Sequence, residues 1–141
     1  MRRVALGAVA LVVSAAISLP ALADDAPTKS GDMSRGWKFG EQGGADLFRN
    51  VCAACHQPDA KGVVGAGTYP PLAADENLAS TDFILAVLFG GLKDMPPLGG
   101  MMSDAQVADV VTYVCTHFGN AYADAVSAAD VAAARRRAAA P

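Results

Sequence analysis

Residues 50–59 read NVCAACHQPD, two cysteines three positions apart with a histidine directly after the second. Four chemistries use such a pair: a disulfide, a thiol redox centre, a structural zinc site and the covalent fastening of a haem. A disulfide between Cys52 and Cys55 requires only an oxidising compartment. A thioredoxin-like pair belongs in a strand–helix–strand setting, and no strand pattern flanks this one. Structural zinc takes four ligands. The whole chain has three cysteines and two histidines, and Cys115 and His117 stand far along it in a separate segment. C-x-x-C-H is the recorded pattern for c-type haem attachment. Positions three apart on a helix share a face, so both thiols can reach one edge of a haem while His56 turns its imidazole under the ring. An export signal ahead of the motif and a candidate second iron ligand behind it favour this last reading.

The export signal is the opening MRRVALGAVALVVSAAISLPALADD. Arg2 and Arg3 form a basic start, Val4 to Leu19 an uncharged apolar run, and Ala21-Leu22-Ala23 a small-x-small cleavage site. The run is shorter than the ~20 residues of a spanning helix. Residues 1–23 are therefore expected to be a signal peptide cleaved after Ala23, delivering the protein to the periplasm with no membrane span. The polar stretch 24–36 reads as a flexible leader, and residues 37–141 as one domain with a C-terminal extension. Cleavage removes two basic residues, and fourteen acidic side chains then face nine basic ones. An acidic body of this kind excludes a nucleic-acid partner and suits one with a basic docking face.

Periodicity along the body predicts helices and no strands. A first helix is expected within WKFGEQGGADLFRNVCAAC, with Ala45, Phe48, Val51 and Cys52 on its buried side and Gly43-Gly44 weakening its first turn. The Gly/Pro/Asp-rich segment from His56 to Ser80 predicts a long ordered loop. STDFILAVLFGG predicts a helix capped by Ser80 or Thr81, with Phe83, Ile84, Val87 and Leu88 buried and Gly90-Gly91 ending it. SDAQVADVVTYVCTHFGN predicts the clearest helix. Ser103 and Gln106 form a capping box, Met102 and Val107 a hydrophobic staple, and Val107, Val110, Val111, Val114 and Phe118 the inner face. Gly119 is the expected stop, with His117 in the last turn. SAADVAAARRRAAAP predicts a short helix capped by Ser127.

The stretches CAACH, YPPLA, MPPLGGMMSDAQVADVVTYV and FGN together resemble the small monohaem class I cytochromes c of bacterial periplasms, from about Gly40 to the end. The tail FGNAYADAVSAADVAAARRR is similar to the tails of cytochromes that accompany periplasmic dehydrogenases. The resemblance implies an all-α class I cytochrome c fold, three to five helices with long loops around one covalently bound haem c. It implies thioether attachment at Cys52 and Cys55 and iron ligation by His56 and Met95. It also implies a proline carbonyl holding His56, at Pro70 with Pro71 as second choice. His/Met ligation raises a haem's reduction potential, and a residue before proline is pushed out of helical geometry, which suits Met95 to a stiff ligand loop.

The implied function is a periplasmic one-electron carrier and not an enzyme, free or as a subunit of a dehydrogenase complex. It would accept electrons from a periplasmic dehydrogenase and pass them to the respiratory chain, through a terminal oxidase or another cytochrome. The alternative is a haem-based sensor or peroxidase whose distal ligand is displaceable. Other singled-out residues have plainer readings. Lys61 and Lys93 are solvated loop cations. Cys115 is a core thiol, His117 a helix-end imidazole, Met102 the staple, and Met101 an unsupported neighbour of two glycines.

Overall fold

The computed structural model describes residues 37–65, 67–122 and 126–140. The expected signal peptide and leader lie outside the described residues. The first helix, α1, covers 44–56 in three joined pieces: α-helical Gly44–Leu47, a π-helical turn Phe48–Cys52, and α-helical Ala53–His56. It starts later than expected. Gly43 stands at φ 78 and interrupts the helix, so 37–42 run as an irregular strap and Trp37 is largely exposed. The wide turn also changes the buried face. Phe48 and Ala53, five apart, both point inward as an i→i+5 turn allows. Leu47 is fully buried, whereas Ala45, expected inside, is exposed.

α2 (Thr81–Gly90) is capped by the Ser80 hydroxyl, which accepts a hydrogen bond from the Phe83 amide. Its core contacts come from Leu85 and Leu88, while Ile84 and Val87 are half-buried. Phe83 was expected in the core and is instead 43% exposed. On a helix turning by about 100° per residue, Phe83 and Val87 lie on the side opposite Leu85.

α3 (Asp104–Thr116) follows expectation closely. Ser103 and Gln106 make the reciprocal capping box, and Val107, Val110, Val111 and Val114 are buried with Met102. α3 crosses α1 at Gly44, where a Cβ would run into the Asp109 carbonyl and lie 2.5 Å from Tyr113 Cβ. Only a residue without a side chain permits that approach. Beside the crossing, Phe48 packs on Tyr113 and Phe118 with ring centroids 5.9 and 4.6 Å away. His117 lies beyond the helix end, contrary to its expected place in the last turn. It is exposed, stacks on Tyr113 at 4.0 Å, and its Nδ1 is 2.8 Å from the Tyr113 carbonyl.

α4 (Ala128–Ala138) begins with a second capping box, Ser127 with Asp130. It lays Val131 and Ala134 against α3 and α2. The expectation of no strands needs correction. Val63–Val64 (β1) pairs antiparallel with Thr68–Tyr69 (β2) in the loop after α1. A ladder of two residues is too short for alternation to show in the sequence. Four helices, two 3₁₀ turns (Glu76–Ala79 and Gly99–Met101) and this hairpin are the regular elements among the described residues.

Candidate functional site

The C-A-A-C-H motif occupies the last turn and a half of α1. Cys52 closes the π turn, Cys55 stands one turn later, and both are half-buried and unbridged. Burial pushes the Cys52 thiol up to about 11, the neighbouring Cys55 adding to the rise against a backbone hydrogen bond. A thiol held protonated is the opposite of a redox-active one, whose pKa is depressed.

His56 ends the helix and is 7% exposed. Gln57 at φ 68 then turns the chain away, and the Gly62 amide returns to donate to the His56 carbonyl at 2.9 Å. The loop continues through the hairpin and brings the Pro70 carbonyl to 2.9 Å from His56 Nδ1. That oxygen accepts from Nδ1–H, which fixes the ring's orientation and leaves Nε2 for a metal. The bond falls to Pro70 and not to Pro71.

This loop is held by a residue that sequence reasoning passed over. Asn120 is a buried polar side chain whose Nδ2 donates to the Leu72 carbonyl at 2.8 Å and the Val114 carbonyl at 2.9 Å. Its Oδ1 accepts from the Asp75 amide at 3.1 Å. The Phe118 carbonyl takes the Ala74 amide, and the Ala60 carbonyl takes the amides of Leu72 and Ala73. The FGN stretch is thus a clasp for the segment carrying Pro70.

Met95 sits half-buried in the loop after α2. Leu92 and Met95 exchange both backbone hydrogen bonds at 3.0 Å, with Lys93 at φ 53 between them, and Pro96-Pro97 follow. Met101 is half-buried, and Met102 and Val107 are both buried in the core. Cys115 is 4% exposed, with Sγ 3.6 Å from the Leu78 carbonyl, and burial raises its pKa. Lys61 pairs loosely with Asp59 at the surface, and Lys93 is exposed.

The donor set fits a c-type haem. Two thiols three apart, an imidazole oriented through Nδ1 and a thioether in a stiffened loop are the groups it requires. Cys52, Leu72, Ile84, Met95 and Leu98 are apolar side chains left half-open at the margin of the core. Phe83, Val63 and Leu92 are more exposed still. Such side chains suit a flat, largely apolar group.

Comparison with known proteins agrees. Residues 41–114, just over half of the chain, match the family described as cytochrome c oxidase, cbb3-type, subunit III. The chain is 37% identical over 95 residues to the fructose dehydrogenase cytochrome subunit of Gluconobacter japonicus, covering 57% of this chain and 19% of that one. It is 34% identical over 115 residues to the gluconate 2-dehydrogenase cytochrome c subunit of Pantoea cypripedii, covering 71% and 26%. To cytochrome c6 of Parathermosynechococcus lividus it is 33% identical over 72 residues, covering 50% and 83%. The match thus spans about a fifth to a quarter of these dehydrogenase subunits and most of the small cytochrome.

Proposed function

The chain belongs to a cytochrome c family, that of the cbb3-type oxidase subunit III, and from that membership and the motif geometry we propose that it is a monohaem electron carrier. Its helical architecture is that of a class I cytochrome c. In this reading Cys52 and Cys55 would hold a haem c through thioether bonds, His56 Nε2 and the Met95 sulfur would bind its iron, and Pro70 would orient His56. A haem c with imidazole and thioether ligation gains and loses one electron at a raised potential. The chain's part is to keep both ligands in place through that change. His56 is braced by Pro70, the Pro70 loop is clasped by Asn120, and Met95 is stiffened by its turn and the two prolines after it. Little rearrangement then accompanies electron transfer.

The observation that carries the reading is the bond between His56 Nδ1 and the Pro70 carbonyl. It orients the one histidine of the motif with Nε2 turned to be a metal ligand. The names of the relatives support a dehydrogenase as electron donor, and in this reading the acceptor is a terminal oxidase or another cytochrome. The sequence of residues 1–23 supports a periplasmic location. Among the described residues no helix is long and apolar enough to cross a membrane.

The test is the axial ligand. Replacing Met95 by alanine should abolish the near-infrared sulfur-to-iron band of the oxidised protein, lower the potential and open the reduced iron to carbon monoxide. Alanine at Met101 or Met102 should leave all three properties intact. A band that survives in Met95→Ala and vanishes in either neighbour's variant removes the assignment. Rapid carbon monoxide binding by the unmodified protein would favour a sensor or peroxidase.

A further inference from the structure

The loop that carries Met95 leaves through four consecutive residues, 99–102, and each of their carbonyls is claimed by a distant part of the chain. Lys38 Nζ donates to the Gly100 carbonyl at 2.6 Å, and the Phe39 amide to the Met101 carbonyl at 3.0 Å. The two outer carbonyls go to one side chain. Arg135 of α4 donates from one terminal nitrogen to Gly99 at 2.7 Å and from the other to Met102 at 2.9 Å. Its Nε donates to Asp104 Oδ1 at 2.8 Å, on the first residue of α3. The guanidinium also lies over the Phe89 ring, 4.8 Å from its centroid. Phe89 in turn is pressed on Gly99 so closely that a Cβ there would collide with the ring. One planar group therefore ties α2, the loop exit and the start of α3 to the C-terminal helix.

We propose that Arg135 is a positioning residue that controls how readily the Met95 sulfur leaves the iron. The inference rests on the reading of Met95 as axial ligand. For the sulfur to leave, the loop between Leu92 and Met102 must swing. Its near end is held by the reciprocal Leu92–Met95 pair. Its far end is free only when Gly99 and Met102 let go together, because the guanidinium is rigid and holds both. Lysine keeps the charge but offers no planar fork, so it cannot keep both bonds and the Asp104 contact. Arg137 is the natural control. It lies on the same helix and pairs at the surface with Asp82 at 3.1 Å, not with the carbonyls of this loop.

The experiment is imidazole binding to the oxidised, haem-loaded protein by stopped flow. At saturating imidazole the observed rate is the rate at which Met95 departs. Loss of two charge-assisted hydrogen bonds should raise that limiting rate by roughly tenfold or more in Arg135→Gln and Arg135→Lys. The sulfur-to-iron band should weaken in parallel. Asp104→Asn, which disturbs only the Nε contact, should fall between these and the unmodified protein, and it serves if the glutamine variant does not assemble. Arg137→Gln should stay within about twofold, since exposed pairs contribute little. The proposal is overturned if Arg135→Lys and Asp104→Asn both leave the limiting rate unchanged, or if Arg137→Gln raises it equally. Failure of the underlying reading looks different: Met95→Ala would then keep the band.

Discussion

Removing the Asn120 side chain should loosen the protein in two separable ways. In Asn120→Ala the carbonyls of Leu72 and Val114 and the amide of Asp75 lose their partners together. An unsatisfied buried group costs ~1–3 kcal/mol. The Val114 carbonyl is enclosed, whereas the two loop groups are only part-buried and recover some of the loss from water. The low end of the range for each gives a loss of about 3 kcal/mol, a large share of the ~5–15 kcal/mol that holds a domain. In guanidinium chloride, where a domain this size loses roughly 3–4 kcal/mol per molar, the midpoint should fall by nearly one molar. Asn120→Asp should fare no better. Its carboxylate can still accept from Asp75 but turns an oxygen toward two carbonyls. The second effect is local. The clasped loop carries Pro70, so the His56 ring should lose orientation and the oxidised spectrum should broaden before global unfolding. A midpoint shift below about 0.2 M, or an aspartate variant as stable as the original, would refute the accounting.

Gly44→Ala should destabilise the protein by about 1–3 kcal/mol through overpacking at the helix crossing, although alanine is the better helix former by nearly 1 kcal/mol. Guanidinium titration reads the sign. Cys115 in the haem-loaded protein should react with a thiol reagent at least roughly a hundredfold more slowly than in denaturant, being enclosed and poorly ionised. Equal rates would place it at the surface. Asp130 accepts from the Ser127 hydroxyl and amide, which holds its carboxyl below the usual range. Its support for α4 is full above the unfolded carboxylate value of about 3.9 and disappears as pH falls through the lower folded value. Amide exchange in α4 should accelerate in that acid window, and Asp130→Asn should remove the pH step.

What could be read from the sequence was what neighbours along the chain decide. Ser103 with Gln106, Ser127 and the valines of α3 carry their signal within four residues, and the structure reproduces each. The burial of Cys115 and Met102 belongs with them, since both flank a periodic face. The unread features depend on partners far away. Phe83 obeys helical period but lies on the side of α2 away from Leu85, which only the position of α4 decides. Asn120 and Arg135 look like ordinary polar residues, because their acceptors lie 6 to 48 positions away for one and 31 to 36 for the other. Of the proposed ligand set, the cysteines and His56 were legible from spacing, whereas Pro70 and Met95 required a family resemblance.

The π turn at Phe48–Cys52 fixes an angle that neither end of α1 could fix alone. Leu47 and Phe48 anchor the helix in the core, and every residue beyond the wide turn is set back by one place relative to an unbroken α-helix. Winding the same residues into an unbroken α-helix would return α1 to its preferred hydrogen bonding. It would also rotate Cys52, Cys55 and His56 by about 100° around the helix axis. The backbone would thus gain while Cys52 and Cys55 swung toward the crossing with α3 or out to solvent, and His56 lost its reach to Pro70. Deleting one residue between Phe48 and Cys52 would instead give a regular helix that keeps the motif on the face where the wide turn now sets it, so residue count and hydrogen-bond pattern must change together for the motif to stay in place.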